Sequence, residues 1–266
     1  MKYIHKIFID EKAADKKYTK LILEYYPDAE QEIITDEQFE QLDSKNIDPK
    51  KTLYLTISRG DIVRGCPGTG NSYLCCRYQI INHTLNCPLN CSYCILQYYL
   101  NQPATIIYTD FDAIIQELDN KLAKQPDRFF RVGTGELGDS MALPGSRLFA
   151  RELIKKFSDR KNLLLELKTK VNEVDNLIST RKKGSIVLAW SVNPDQIIKK
   201  EESMAANLDE RLKAAKKAQE AGFLLAFHFD PIFHFKGWED GYRETIRRIF
   251  AVARPDNIRG ISVGCF

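Results

Sequence analysis

No stretch of about 18 consecutive apolar residues occurs in the 266 residues, and the opening segment MKYIHKIFIDEKAADKK lacks the long apolar core of an export signal. These absences set the expectation of a cytoplasmic protein with no membrane partner. An excess of charge of one sign is lacking too. The 39 Lys and Arg against 36 Asp and Glu leave a net +3, which admits an anionic partner but falls short of a dedicated nucleic-acid binder. Internal repeats, low-complexity tracts and long linkers are missing. Hydrophobic content of 44% with 28% charged residues is ordinary for a globular chain, and the length suits one large α/β domain with or without a small appendage.

Cysteine is present but unevenly spread. Cys66, Cys75, Cys76, Cys87, Cys91 and Cys94 crowd one stretch, and Cys265 stands alone near the end. Without an export signal a disulfide framework is not expected, and such clustering points to metal or redox chemistry. The run Cys87-Pro-Leu-Asn-Cys91-Ser-Tyr-Cys94 places three thiols in one loop directly after the β-rich residues 78–82. A cuboidal [4Fe–4S] cluster normally takes four thiolates, so three leave one iron open to a small chelating molecule. The competing reading is a structural zinc site, which needs four ligands; Cys66, Cys75 or Cys76 would supply the fourth.

Residues 1–61 read as a small N-terminal α/β cap, with a strand over 3–9 and a short helix over 36–42, followed by a glycine-rich loop over 60–72. From Tyr78 onward strand and helix alternate about six times. Asp110 is placed to cap a helix whose Phe111, Ile114, Ile115, Leu118 and Leu122 share a face, and Asn207 one with Leu208, Leu212, Ala215 and Ala218, closed by Gly222. Strands are expected at 128–132, 163–167, 185–192, 223–229 and 258–263, and further helices at 146–157 and 242–253. This alternation implies a parallel sheet flanked by helices over 62–266, with functional residues at the carboxyl ends of its strands.

Those strand ends carry polar residues. Gly133, Gly135 and Glu136 lie in Arg131-Val-Gly-Thr-Gly-Glu136, where glycines admit a ligand to the backbone and the carboxylate suits an ammonium group. Gly133, Gly135 and Gly138 also satisfy G-x-G-x-x-G, but no helix opens at 139–144, so a dinucleotide site is rejected. Lys170 follows one strand, and Ser191 and Asn193 end another as hydrogen-bonding groups. His228 and Asp230 interrupt an apolar strand and face either the sheet's inner side or an ordinary core.

The loop Cys87-x-x-x-Cys91-x-Tyr93-Cys94 resembles the cluster motif of the radical S-adenosylmethionine superfamily. That resemblance implies a partial parallel (β/α)6 barrel and a [4Fe–4S] cluster on Cys87, Cys91 and Cys94 beside Tyr93. It also implies S-adenosyl-L-methionine bound by the glycine–glutamate segment with Glu136, and by Lys170, Ser191 and Asn193. A reductant protein such as flavodoxin or ferredoxin is implied as partner. Longer segments are similar to the spore photoproduct lyase branch: Cys66-Pro-Gly-Thr69 with Tyr73-Leu-Cys-Cys76, Cys94-Ile-Leu-Gln97, Leu167-Lys-Thr-Lys170, Ser191-Val-Asn193, Glu210-Arg-Leu-Lys-Ala-Ala215 and Asp230-Pro-Ile232. This branch implies a lyase acting on a thymine dimer lesion in DNA, flipped out to reach the barrel mouth. It also implies a thiol hydrogen-atom donor where this chain has Thr134, a tyrosine where it has Ile95, and a C-terminal segment beyond the point where this sequence ends. Cys265 is the candidate replacement donor. Basic groups at 181–183, 199–200, 216–217 and 247–248, mostly on expected helices and turns, read as solvated faces rather than a phosphate track.

Overall fold

The computed structural model describes residues 4–68, 77–180 and 184–265. Cys75, Cys76 and the basic run 181–183 lie outside the described residues. Twelve strands are described: β1 (Lys6–Asp10), β2 (Glu30–Ile34), β3 (Thr52–Thr56), β4 (Val63–Gly65), β5 (Gln79–Ile81), β6 (Thr84–Leu85), β7 (Thr105–Tyr108), β8 (Phe130–Gly133), β9 (Leu163–Thr169), β10 (Ile186–Ser191), β11 (Leu224–Ile232) and β12 (Ile258–Cys265). They form two sheets. The first runs β2-β1-β3-β7-β6, parallel except for β6, and the second runs β12-β11-β10-β9-β8-β5-β4. In the second, β5 and β8 to β12 are parallel, with β4 antiparallel at one edge. This is the expected six-strand partial barrel. Helices Phe111–Ala123, Pro144–Phe157, Asp175–Ile178, Leu208–Glu220 and Trp238–Val252 make its crossovers.

The first sheet is not confined to residues 1–61. The chain leaves the second sheet after β5, adds β6 and β7 to the first, and returns at β8, so the thiol loop lies on the thread between the sheets. Short strands hide this from periodicity: β4 has three residues and β6 two. β4 also occupies part of the stretch expected to be loop.

Local chemistry explains the longer elements. Asn207 and Glu210 form a reciprocal cap, each side chain accepting from the other's backbone N–H at 2.9 and 2.8 Å. Gly222, at φ +94, ends that helix in the left-handed region. Asp110 stands at the expected N-terminus but does not cap it; its carboxylate accepts from the Ser58 N–H and hydroxyl instead.

Alternation along β9 buries Leu163, Leu165, Leu167 and Thr169 against the helices and turns Leu164, Glu166, Lys168 and Lys170 inward. Leu164, Val187, Ala189, Leu224 and Ala226 make an apolar floor inside the sheet's curve. Above it stands a polar layer of Glu166, Lys168, His228 and Ser262. His228 and Asp230 therefore take the inner-face alternative.

Candidate active site

The thiol loop is fastened before any ligand enters. Asn86 adopts φ +72 and its Oδ1 accepts from the Cys87 N–H at 2.8 Å and from Lys50 Nζ at 3.1 Å. Lys50 also donates to the Cys87 carbonyl at 2.7 Å. The Cys94 N–H closes a turn on the Cys91 carbonyl at 3.1 Å, and Gln97 donates to the same oxygen. Across the loop, Cys91 bridges Glu202, while the Ser92 N–H reaches the Glu201 carbonyl at 2.9 Å. Glu202 is fully buried and binds both the Tyr93 hydroxyl and the Arg211 guanidinium. Arg211 also donates to the carbonyls of Ser191 at 2.9 Å and Ala206 at 2.8 Å. Burial alone would raise the Glu202 carboxyl, but Arg211 and Lys170 hold it below its usual range.

The loop after β8 is stitched to the end of β9. Asp139 accepts from the Met141 and Lys170 N–H groups at 2.8 and 2.9 Å and from the Thr169 hydroxyl at 2.7 Å. Ser140 Oγ accepts from the Lys168 N–H at 3.0 Å and from the Thr134 hydroxyl at 2.7 Å. This close approach leaves no room at Gly135, where a Cβ would lie 2.9 Å from Lys168 Cβ.

These elements enclose a cavity of about 380 Å³. Cys87, Cys91, Cys94 and Tyr93 line it, together with Gly135, Glu136, Lys170, Ser191 and Cys265. Two expected residues do not reach it. Gly133 is covered by the Tyr78 ring, on which its absent Cβ would fall. Asn193 is buried as a strut, accepting from the Tyr242 hydroxyl at 2.7 Å and donating to Glu202 at 3.4 Å. Cys265 sits at the rim, since the alternation of β12 sets it with exposed Ile261 and Val263, opposite Ser262 and Gly264. Introducing alanine at Gly133 is expected to force the Tyr78 ring out and to lower stability by about 1–3 kcal/mol in urea titrations.

Sequence reasoning missed Lys50, Asn86, Asp139, Lys168, Glu202 and Arg211. Arg211 did carry a signal. It falls on the same helical face as Leu208, Leu212, Ala215 and Ala218, and a charge inside an apolar stripe needs a buried partner.

The donor set fits an iron–sulfur cluster. Burial pushes the Cys91 thiol up to about 11 and raises Cys87 as well, so both favour the neutral form until a metal takes the proton's place. A single zinc ion gathers its ligands at about 2.0–2.3 Å. A structural zinc would need a fourth ligand, and Cys75 and Cys76, two of its candidates, lie outside the described residues. Separate irons of a cuboid take separate thiolates.

A family model for spore photoproduct lyase matches residues 5–262. The chain belongs to the spore photoproduct lyase family. Within it, the chain is 29% identical to the spore photoproduct lyase of Bacillus subtilis (strain 168) over 159 residues, 60% of this chain and 46% of that protein. It is 35% identical to that of Geobacillus sp. (strain Y412MC61) over 85 residues, 32% of this chain and 25% of that one. The matched segments thus span less than half the length of these lyases. A double mutant of spore photoproduct lyase, solved with bound AdoMet and dinucleoside spore photoproduct, superposes with a TM-score of 0.84 at 20% identity. The match covers 99% of this chain and 79% of that one. The complex with dinucleoside spore photoproduct gives 0.82 at 20% identity, over 96% and 76%. The fold of this chain is therefore the spore photoproduct lyase fold.

Proposed function

We propose that this chain is a radical S-adenosylmethionine enzyme of the lyase type, acting on a thymine dimer lesion of the spore photoproduct kind. One observation carries the reading: three thiols of a pre-fastened loop share a cavity with Glu136, Lys170 and Ser191. Cys87, Cys91 and Cys94 would hold a [4Fe–4S] cluster. When bound, that cluster supplies the electron that splits S-adenosylmethionine into methionine and a 5′-deoxyadenosyl radical. Glu136 receives the amino group of the cosubstrate, Lys170 its carboxylate, and Ser191 a hydroxyl or carboxylate oxygen. Asp139 positions Lys170 through the backbone. The cavity walls keep water from the radical.

Thr134 does not serve as hydrogen-atom donor in this reading. Its hydroxyl is buried against Ser140, and an O–H bond is too strong to replace a thiol. Cys265 is the thiol left at the cavity rim and takes the role. The one-electron donor is a flavodoxin- or ferredoxin-type protein. Among the described residues no helix is long and apolar enough to cross a membrane. Arg248 pairs with Asp195 and Asp209, Arg247 with Glu244 and Lys217 with Asp175, so these helix cations are engaged with neighbouring carboxylates. DNA would meet the chain at the cavity mouth.

Anaerobic reconstitution with iron and sulfide, then dithionite and S-adenosylmethionine, is expected to release 5′-deoxyadenosine and, with dinucleoside spore photoproduct, the repaired thymines. Release of 5′-deoxyadenosine without repair would move the reading to another substrate; no 5′-deoxyadenosine at all would overturn it. In deuterium oxide the wild type should carry solvent deuterium into the repaired thymine through an exchangeable S–H, and Cys265→Ala should lose that label. Undiminished labelling in the variant would remove Cys265 from the mechanism.

A further inference from the structure

Of the charged residues lining the cavity, two have no role once Glu136, Lys170 and Asp139 are assigned. They are Lys168 on β9 and Asp230 on β11. Lys170 belongs to the thiol side, its ammonium 5.6 Å from the centre of the Tyr93 ring. Lys168 lines the same cavity, and burial and the Lys170 charge weaken its hold on a proton while Asp230, Glu166 and Asp139 oppose them. Its ammonium makes no hydrogen bond or ion pair with the described residues, although the side chain is half-buried.

Asp230 is held from behind. Its Oδ2 accepts from the Ser262 hydroxyl and lies 3.7 Å from His228 Nδ1, which is itself 2.6 Å from Ser262 Oγ. On the other side of the ring, His228 Nε2 lies 3.4 Å from Glu166, and Glu166 accepts from the Tyr78 hydroxyl at 3.3 Å. The chain Tyr78–Glu166–His228–Ser262–Asp230 thus ends on a carboxylate at the cavity, held through one oxygen. The other oxygen occupies space left by Gly264, where a Cβ would lie 2.5 Å from Oδ1. The neighbouring His228 ring and the Ser262 hydroxyl, with the nearby Lys168 charge, depress the Asp230 carboxyl to about 2 against the opposing effect of burial, so it is an ionised acceptor at neutral pH.

A pocket wall with one cationic donor beside one anionic acceptor discriminates by sign. A lone anion would pair with Lys168 and leave Asp230 unsatisfied, and a lone cation would pair with Asp230 and leave Lys168 unsatisfied. A neutral edge that places an N–H next to a carbonyl satisfies both groups. We propose that Lys168 and Asp230 read the imide edge of a pyrimidine ring in the substrate, Asp230 accepting from the ring N3–H and Lys168 donating to the adjacent carbonyl oxygen. The proposal rests on the lyase reading above and specifies which face of the lesion enters the site.

The test compares binding of dinucleoside spore photoproduct with forms methylated at N3 of one or the other ring, by titration of the reconstituted enzyme in the presence of S-adenosylmethionine. Methylating the recognised ring is expected to weaken binding to the wild type on the order of tenfold or more, the scale of a hydrogen bond to a charged group. Asp230→Asn should bind the unmethylated lesion more weakly and show little further loss on methylation. Lys168→Met should bind both forms more weakly while keeping their ratio. A merely structural role for Asp230 would weaken both forms alike in Asp230→Asn and leave the wild-type ratio intact. Equal wild-type binding of all three forms, or a ratio that survives Asp230→Asn, overturns the proposal. The wild-type comparison needs no variant to fold. Failure of the lyase reading looks different: no binding of any lesion form and no repair, whether or not 5′-deoxyadenosine is released.

Discussion

Replacing Cys91 with alanine is expected to abolish 5′-deoxyadenosine formation, lowering it at least about a hundredfold, while the unfolding midpoint moves little. Groups that merely support a metal ligand are worth tenfold to a hundredfold, and loss of a ligand exceeds that range. Cys91 is small and buried, and its loop is held by backbone bonds that alanine keeps: Cys94 N–H to its carbonyl, and the bridge to Glu202. Iron content and the visible absorbance of the reconstituted protein should fall together. Wild-type turnover in Cys91→Ala would refute the cluster assignment, and zinc bound stoichiometrically to both forms would replace it with a structural site.

The second large effect belongs to a pair that never touches the cavity. Glu202 and Arg211 have fully buried side chains, and removing one leaves the other an uncompensated charge. Arg211→Met is expected to cost about 3–5 kcal/mol in urea-monitored stability. Replacing both partners with apolar residues should recover much of that, because both desolvation penalties vanish together. The pH dependence has a definite sign. Burial opposes ionisation of Glu202, but Arg211, Lys170 and the Tyr93 hydroxyl outweigh it and leave the folded-state pKa depressed. Its contribution is therefore complete above the ordinary glutamate range and is lost as pH falls through the lowered value. Acid unfolding of Arg211→Met should lack that component. Tyr93 and Cys91 both lean on Glu202, so the variant should also reconstitute poorly even where it remains folded.

Long, strongly patterned elements were legible in the chain. The strand at 163–167, the capped helix after Asn207 and the closing Gly222 follow from local chemistry. The thiol loop was legible because three cysteines at that spacing have few other uses. The first sheet was less so. Its strands β6 and β7 come from 84–85 and 105–108, on the far side of the thiol loop, and no local pattern ties them to β1 and β3. Within the site, single residues at strand ends were visible as polar interruptions, but their orientation was not. Gly133 and Asn193 looked equivalent to Gly135 and Ser191, and only packing separates them: Tyr78 covers the first and Tyr242 engages the second. Glu202 lies just past a helix no periodicity argument had found, so its link to Arg211 stayed invisible.

The route of the backbone between the sheets bears on how this protein is divided in the laboratory. A cut near residue 61 would strip β1, β2 and β3 from their sheet and leave β6 and β7 paired only with each other. That scission does not yield two self-sufficient halves. Truncations meant to isolate the barrel would unmoor the very segment that bears the three thiols, and a fragment's silence would then say nothing about its chemistry.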